Sequence, residues 1–287
     1  MKQSHKVNTP KYNFEIKEIS RYDSTELIQT YHYSKVMPRL TKHFLGCFLE
    51  DKLVGVLTLG WGTQPKATIA KLFDGLDTKD YYEIGKMCMK PEMPRNSESQ
   101  MLSGVINWMK KNCPEKKFLY TWADGIMGKP GYVYQAANFL YGGYIWTQIY
   151  ISDKGEKIHP RSSKRLCVEN VDYEKKRNPN FFDNRKDERI YWLTQDFLDH
   201  KGISKIFGKQ FRYILPLNKK SRKLLKKSKV KWHLKYPKHF DLEWQKSTKQ
   251  GKVKIDKMPY IDSDMTEYNK KNVNVHAKDR GTLEAFL

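Results

Sequence analysis

Apolar and polar residues alternate, or recur with helical spacing, in several short stretches of the first sixty positions. Residues 14–19 alternate apolar and charged side chains, which predicts a half-exposed strand. Residues 24–31 begin with a capping serine and continue with helical spacing, which predicts a helix. Two runs rich in Leu, Val and Phe, 45–50 and 53–60, flank Asp51-Lys52, and they predict a hairpin around a two-residue connection.

Strands and helices continue to alternate up to residue 151. The pattern predicts, in order, a strand over 82–89, a helix from Asn96 or Ser97 to Lys110, a short buried strand over 118–122, a short helix over 132–140, a turn at Gly142-Gly143 and a strand over 144–151. This order is typical of an α/β fold in which helices flank a mixed, twisted sheet.

Beyond residue 152 the sequence becomes more polar, which predicts additions to one compact core rather than a second large domain. We expect a core over 1–152 and a polar insertion over 153–209 with a short helix at 191–200. Residues 210–240 are predicted to supply a closing strand and then a basic segment. The polar tail, 241–287, is expected to be poorly ordered.

The net charge of the chain indicates which kinds of partner it binds. The chain has 54 Lys and Arg against 32 Asp and Glu, a net charge of +22, which attracts polyanions before any specific contact forms. Nucleic acid is therefore the first candidate partner, and a membrane surface is the second. No stretch approaches the roughly 20 apolar residues that cross a bilayer. The N-terminus does not lead into the apolar core of a secretory signal, so we expect a cytoplasmic protein.

The four cysteines are far apart and form no Cys-x-x-Cys pair. This spacing argues against a zinc ribbon and against a disulfide scaffold. Cys47 and Cys88 lie in apolar strands, where reduced and buried thiols are expected.

The positive charge is concentrated in one segment. From residue 201 to residue 238 the chain has no acidic side chain. The candidate nucleic-acid contacts are Lys219, Lys220, Arg222, Lys223, Lys226, Lys227, Lys229, Lys231 and Trp232. Such a density of cations beside an aromatic ring suits phosphate contacts combined with base stacking. The alternative interpretation is a solvated helix face.

A second anion site is predicted where a strand passes into a helix, at Pro94-Arg95-Asn96-Ser97-Glu98-Ser99. Unpaired backbone amides and the helix dipole favour a negative group at such a point. Arg95 adds a planar fork of donors, and Asn96, Ser97 and Ser99 add short polar side chains. An ordinary capped helix explains the same residues, so this motif alone leaves both interpretations open.

Five short motifs, in one order, resemble a known family. They are His32-Tyr33-Ser34, Gly46-Cys47-Phe48 with Leu53-Val54-Gly55-Val56-Leu57, Pro94 to Ser99, Ala123-Asp124, and Val133-Tyr134-Gln135-Ala136 with Asn138-Phe139. Together they cover about residues 32–151 and resemble the Mom DNA-modification proteins of bacteriophages, a divergent GNAT-like family. GNAT enzymes place the pyrophosphate of acyl-CoA after the central strand, where this chain has residues 94–99. The usual glycines of that loop are missing here, which departs from ordinary acetyl-CoA binding.

The resemblance implies a GNAT-like catalytic core over residues 1–152 and a phage protein that acts in the host cell. It further implies transfer of a carbamoylmethyl-type group from an acetyl-CoA-related donor to the exocyclic amine of adenine in DNA, which protects the DNA from restriction. Plain acyl transfer does not by itself yield that product. An iron centre has been proposed for the family, so the need for a metal stays open.

The same resemblance selects four candidate catalytic residues. His32 and Tyr33 close the first predicted helix and are candidates for a base, a proton donor or metal ligands. Asp124 follows a buried strand, at the sheet edge where α/β proteins gather catalytic groups. Tyr134 lies where many GNAT enzymes protonate the departing thiolate. Stacking for the His-Tyr pair, a turn cap for Asp124 and core packing for Tyr134 are the structural alternatives.

Three functions are consistent with these observations. The first is a DNA base-modification enzyme. The second is a GNAT-type acyltransferase that acts on another amine, such as a hypermodified base or a protein lysine. The third is a nucleic-acid-binding protein that has lost catalysis. The basic segment favours the first over the second, since a small soluble amine needs no polyanion track.

Overall fold

One mixed sheet organises the molecule. The computed structural model describes residues 11–158, 160–183, 190 and 192–257. Within them the strands are β1 (Glu15–Glu18), β2 (Thr41–Leu49), β3 (Lys52–Gly60), β4 (Tyr81–Met89), β5 (Phe118–Ala123), β6 (Leu140–Ile151), β7 (Lys157–Ile158), β8 (Ser204–Pro216), β9 (Trp244–Thr248) and β10 (Gly251–Ile255). Their order is β1-β2-β3-β4-β5-β8-β6-β7, and the β9–β10 hairpin adds to β8. All described neighbours are antiparallel except β4 and β5.

Helices cover both faces of this sheet. They are α1 (Arg21–Tyr31), α2 (Pro65–Ala70), α3 (Ser97–Asn112), α4 (Tyr132–Ala136), α5 (Pro160–Arg177), α6 (Gln195–His200) and α7 (Lys219–Leu224). Short 3-10 turns occupy Thr78–Asp80, Gly125–Met127, Pro179–Phe182, Leu225–Lys227 and His239–Asp241. The predicted α/β fold, a mixed sheet flanked by helices, is confirmed. None of the described helices is long and apolar enough to cross a membrane.

The core has one layer on each side of the sheet. The apolar stripe of α3 includes Leu102, Val105 and Met109, which are fully buried against β3, β4 and β5. On the opposite face, Leu27 and Ile28 of α1 pack with Met37, Val56 and Cys88. Each such aliphatic side chain stabilises the fold by about 2 kcal/mol on burial, which fixes both helices against the sheet.

The buried cysteines fit the expectation from the sequence. Cys47 and Cys88 are free and buried, and burial raises the pKa of both thiols to about 12. At neutral pH they are therefore protonated packing groups.

Several element boundaries differ from the sequence prediction. The hairpin turn is formed by Glu50 and Asp51, both with positive φ, rather than by Asp51-Lys52. The first helix begins at Arg21 and is capped by Ser20, whose side chain accepts a hydrogen bond from the Asp23 amide, so Ser24 lies inside the helix. Turn residues in a sequence locate a hairpin only to within about one residue, because the register of the hairpin is set by the pairing of its two strands.

The glycine pair at 142–143 is a bulge, so the predicted turn there is wrong. β6 starts at Leu140 and runs through both glycines, with a register shift against β8 between Tyr141 and Tyr144. As a result α4 ends at Ala136 instead of residue 140. Gly142 is required because a Cβ there would lie 2.1 Å from the ring of Trp232.

The second half of the chain is more regular than its polarity indicates. β8 spans thirteen residues and crosses the expected boundary between the insertion and the closing strand at 209/210. α5 occupies much of the polar insertion. The predicted poorly ordered tail begins with the β9–β10 hairpin, so the expectation is wrong for residues 244–255, and residues 258–287 lie outside the described residues.

Candidate active site

The two parallel strands at the centre of the sheet separate part-way along their length. Their pairing runs from Tyr81 opposite Phe118 to Glu83 opposite Tyr120. Beyond that point β4 continues to Met89, while β5 continues to Ala123 against β8. The opening therefore lies at the carboxyl ends of two parallel strands, where α/β sheets bind ligands. β4 leads from it to α3, and β5 leads to Asp124.

A β-bulge in β4 aims two ionisable side chains at the same face of the sheet. Leu59 pairs with Ile84 and Thr58 pairs with Lys86, so Gly85 is an extra residue. Because paired residues share a face and neighbours alternate, the bulge places Glu83 and Lys86 on one face, the face that α1 covers. The Lys86 amide donates a 2.9 Å hydrogen bond to the Thr58 hydroxyl, which fixes the bulge.

Asp124 accepts hydrogen bonds on both carboxylate oxygens. The Tyr33 hydroxyl donates to Oδ2 at 2.5 Å, and the Gln210 amide donates to Oδ1 at 3.0 Å. Tyr33 follows α1, Asp124 follows β5 and Gln210 lies in β8, so three separate parts of the chain fix this carboxylate. The arrangement orients Asp124 and leaves a short proton path between it and the Tyr33 oxygen.

Two lysines interact with the charge of this carboxylate, and a third lies over Tyr33, its hydrogen-bond partner. Burial lowers the pKa of Lys86 to about 8, against the opposing effect of Asp124. Burial also lowers the pKa of Lys157, and the Asp124 charge again opposes the shift. The ammonium of Lys129 lies 4.8 Å from the centroid of the Tyr33 ring. Three amines around the Asp124–Tyr33 pair, with one carboxylate among them, make a site that attracts negative charge.

His32 is held neutral beside these lysines. Burial and the charge of Lys86 lower its pKa to about 2, and the side chain is 8% exposed. Its ring stacks on Tyr33 with centroids 4.4 Å apart, and Nδ1 lies 2.9 Å from the backbone nitrogen of Ser34. A neutral, stacked imidazole positions Tyr33 and does not supply a titrating proton near pH 7.

Tyr134 reaches the opening from α4. Burial raises the pKa of its phenol to about 12, against a hydrogen bond with Thr121, and the charges of Asp124 and Glu83 raise it further. Thr121 lies in β5 just past the last residue paired with β4. The phenol is therefore protonated at neutral pH and able to donate a proton.

Glu83 is a buried carboxyl at the point where the strands part. Burial raises its pKa to about 7, although the backbone N–H of Gly62 donates a hydrogen bond to it. Its charge also raises the pKa of Tyr134, which places the two groups in one electrostatic environment.

The predicted phosphate segment lies at the same edge of the sheet. Asn96 precedes the first residue of α3 and adopts a left-handed conformation, with φ of 73°, and its side chain makes no capping hydrogen bond to the helix. The hydroxyl of Ser97, which is buried, donates to the Pro94 carbonyl at 2.7 Å, and that of Ser99 donates to the Asn96 carbonyl at 2.8 Å. Both hydroxyls thus shape the turn. The side chain of Arg95 is exposed, beside the positive end of the sixteen-residue α3 dipole.

The predicted basic segment presents its charges to solvent. The exposed cations are Lys219, Lys220, Arg222, Lys223, Lys226, Lys227, Lys229 and Lys231. Lys229 pairs with Asp74. Trp232 faces inward, because its indole N–H donates to the Ser228 hydroxyl at 2.8 Å and its ring covers Gly142.

Comparison with known proteins connects this site to a family. The model of the Mom protein family matches residues 13–238. This chain belongs to the Mom protein family. It is 29% identical over 210 residues to the methylcarbamoylase Mom of Escherichia phage Mu, a match that spans 73% of this chain and 78% of that protein.

Solved structures also show distant likenesses to this Mom family member. A Bacillus subtilis acetyltransferase in complex with CoA aligns over 71% of this chain and 98% of its own, with a TM-score of 0.35 and 15% identity. A GNAT family acetyltransferase from Elizabethkingia anophelis with acetyl-CoA bound covers the same 71% of this chain and 98% of its own, with a TM-score of 0.29 and 14% identity.

Sequence reasoning missed several members of the site in this Mom family protein. His32, Tyr33, Asp124 and Tyr134 were all predicted, and they lie in one region. Lys86, Lys157, Gln210 and Glu83 were not. The glycine before Lys86 is the one local signal of an irregular strand, whereas nothing in the sequence links Gln210 to Asp124, 86 residues away.

The side chains here suit an anion better than a metal cation. Around the Asp124–Tyr33 pair the structure gathers three lysines, and the nearby imidazole has its Nδ1 beside the Ser34 backbone. No group of three or more His, Cys, Asp or Glu side chains within the described residues is arranged to hold a metal ion. A metal ion would meet electrostatic repulsion at this site, so the residues do not fit an iron centre there.

Proposed function

We propose that this protein modifies DNA by transferring an acetyl-CoA-derived group to the exocyclic amine of adenine. One observation carries the proposal. In a member of the Mom family, the opening between β4 and β5 brings together an oriented carboxylate, a protonated phenol and several lysines. In a transfer to an amine, a carboxylate can take up the proton of the amine, a phenol can protonate the leaving thiolate and lysines can compensate negative charge.

The donor would enter along the edge that contains the N-terminus of α3. Arg95 and the first backbone amides of α3 would face its phosphates, and Lys86 and Lys157 would compensate negative charge nearer the reacting atoms. When bound, an acyl-CoA donor supplies an activated carbon and a thiolate leaving group.

The amine must lose a proton as its nitrogen bonds to that carbon. The Tyr33 oxygen would accept this proton while its own passes to Asp124 Oδ2, along the 2.5 Å hydrogen bond. Gln210 keeps the carboxylate oriented during the transfer, and His32 keeps the ring of Tyr33 in place. The phenol of Tyr134 would donate its proton to the thiolate sulfur as the donor's carbon–sulfur bond gives up its electron pair to sulfur.

Nucleoside mass spectrometry of DNA from cells that express the protein tests this proposal. We expect a heavier adenosine species, and we expect Asp124→Ala to reduce it by a factor of about 100 or more. Asp172→Ala, which removes an exposed carboxylate of α5, is the matched control and should leave the species unchanged. DNA that contains only unmodified nucleosides would overturn the proposal. Modified protein lysines in the same cells would favour the alternative function, an acyltransferase that acts on protein lysines.

A further inference from the structure

Four exposed aromatic side chains lie on one surface beside the candidate active site. Phe240 is 85% exposed, the highest value among the large apolar side chains of the described residues. Tyr132, Tyr144 and Trp146 are each more than 40% exposed. Together with His239 they form what we call the aromatic patch. Large exposed rings that cluster in this way mark interaction surfaces, whereas single ones need no explanation.

Two lysines connect the members of the aromatic patch. Lys238 lies 5.3 Å from the Tyr132 ring, which His239 contacts edge-on at 5.1 Å. Lys209 lies 4.9 Å from the Tyr144 ring and donates to the carbonyl of Asp241, the residue after Phe240. Tyr144 in turn contacts Trp146 edge-on at 6.4 Å. The patch is thus continuous and carries cations between its rings.

The turn that carries Phe240 is fixed to the fold. The Asp241 carboxylate accepts a 2.8 Å hydrogen bond from the Lys238 amide and closes the turn. Gln135 of α4 donates to the Pro237 carbonyl at 3.0 Å and accepts from the Lys238 ammonium at 2.9 Å. A ring held out of the surface by such a turn loses little conformational entropy when it binds.

Short stretches of chain connect the aromatic patch to residues that the proposed reaction uses. Tyr132 is two residues from Tyr134 in α4 and three residues from Lys129, which lies over Tyr33. Lys209 and Gln210 are neighbours in β8 and project to opposite faces of the sheet, so the link between the patch and the opening runs through α4. A molecule that covers the patch therefore lies at the margin of the opening.

We propose that the aromatic patch binds the DNA around the target adenine, and that Phe240 enters the base stack at the position the extruded adenine leaves. The inference rests on the proposed function. An enzyme that acts on a paired base must extrude it, and apolar side chains inserted between bases offset the lost stacking. DNA is favoured over a protein partner because the chain has a net charge of +22 and the Lys238 ammonium lies beside the Tyr132 ring, where a phosphate next to a stacked base would meet it. The acidic Glu243 at this surface is paired with Lys209 at 3.0 Å.

The test compares Phe240→Ala with wild type on duplexes that contain 2-aminopurine in place of several adenines, without any donor. We expect wild type to raise the fluorescence of these bases as they leave the stack. Phe240→Ala should reduce the response by about 5- to 100-fold, the range that one base–aromatic contact implies. Val168→Ala, which removes an apolar side chain with 65% exposure on α5, should respond as wild type does.

Modification of paired and unpaired adenine completes the test. Phe240→Ala should modify an adenine in duplex DNA poorly and an adenine in single-stranded DNA as well as wild type does, because no base then has to be extruded from a duplex. Equal loss on both substrates, or loss on neither, would overturn the inference, and the second result would favour a protein partner. If wild type modifies no adenine at all, the proposed function fails. The fluorescence measured without a donor then still shows whether the aromatic patch unstacks bases or has no part in binding DNA.

Discussion

At the scale of single residues, the burial of the Glu83 carboxyl makes the stability of the fold depend on pH. Its carboxyl is protonated in the folded protein up to about pH 7, because burial raises its pKa from the ordinary value of 4.5. Between pH 4.5 and pH 7 the folded state thus binds more protons at this group than the unfolded state. The stability that this group contributes is present below pH 4.5 and is lost as the pH rises through 7.

Glu83→Gln should remove this pH dependence while keeping the shape of the side chain. We expect the variant to be more stable than wild type at pH 8, by about 1–3 kcal/mol, and to differ little from it at pH 4. Chemical denaturation followed by tryptophan fluorescence measures both free energies of unfolding. Glu92→Gln, at an exposed carboxylate, controls for the loss of a charge. A difference between variant and wild type that stays constant from pH 4 to pH 8 would contradict the assignment.

At the scale of elements, the bulge in β4 aims Lys86 at Asp124, and Gly85 makes that bulge fit. A Cβ at Gly85 would lie 2.8 Å from Pro38 Cγ and 2.9 Å from the Thr58 hydroxyl, which fixes the bulge. Gly85→Ala should therefore destabilise the protein by about 1–3 kcal/mol, the usual cost of overpacking. It should also reduce DNA modification more than the loss of stability explains, because Lys86 moves.

Thermal unfolding and nucleoside mass spectrometry measure the two effects of Gly85→Ala separately. Adding Pro38→Ala removes one of the two clashes, so the double variant should recover part of the stability. If Gly85→Ala unfolds at the same temperature as wild type, the contacts with Pro38 and Thr58 do not constrain the bulge, which would contradict the prediction.

The elements that sequence reasoning placed correctly are those with local signals. α3 has a clear apolar stripe and a cap, and β2 and β3 are continuous apolar runs on either side of a short turn. Gly142-Gly143 misled the prediction because a glycine pair is a turn signal, and only the position of Trp232 shows why β6 needs a bulge there. The β9–β10 hairpin is polar along most of its length, and β10 is largely exposed, so the sequence has no hydrophobic pattern there that predicts a hairpin.

At the scale of the whole molecule, the candidate site depends on contacts between distant parts of the chain. Tyr33 and Asp124 are 91 residues apart, yet each follows a predicted element and each belongs to a motif of the family, so sequence reasoning found both. Lys157 lies in a two-residue strand beyond the recognised motifs, and one lysine among 54 Lys and Arg residues gives no signal of its own. Only the folded sheet shows that its charge acts on Asp124.

The distribution of the net charge of +22 over the surface gives the last prediction. The cations of the basic segment from Lys219 to Lys231 face solvent, while its apolar residues Leu224 and Leu225 pack toward the core, and of these cations Lys229 is paired with Asp74. Each phosphate contact releases a counterion, and the slope of log K against log salt concentration falls by about 0.9 per lost contact on duplex DNA. Replacing Lys223, Lys226 and Lys227 with Gln should therefore weaken DNA binding and flatten this slope by about 2–3.

Replacing the exposed Lys110, Lys111 and Lys154 with Gln changes the net charge equally and should flatten the slope less. Titrations by fluorescence anisotropy over a range of salt concentrations give both slopes, and equal slopes for the two triple variants would assign the basic segment to a solvated surface.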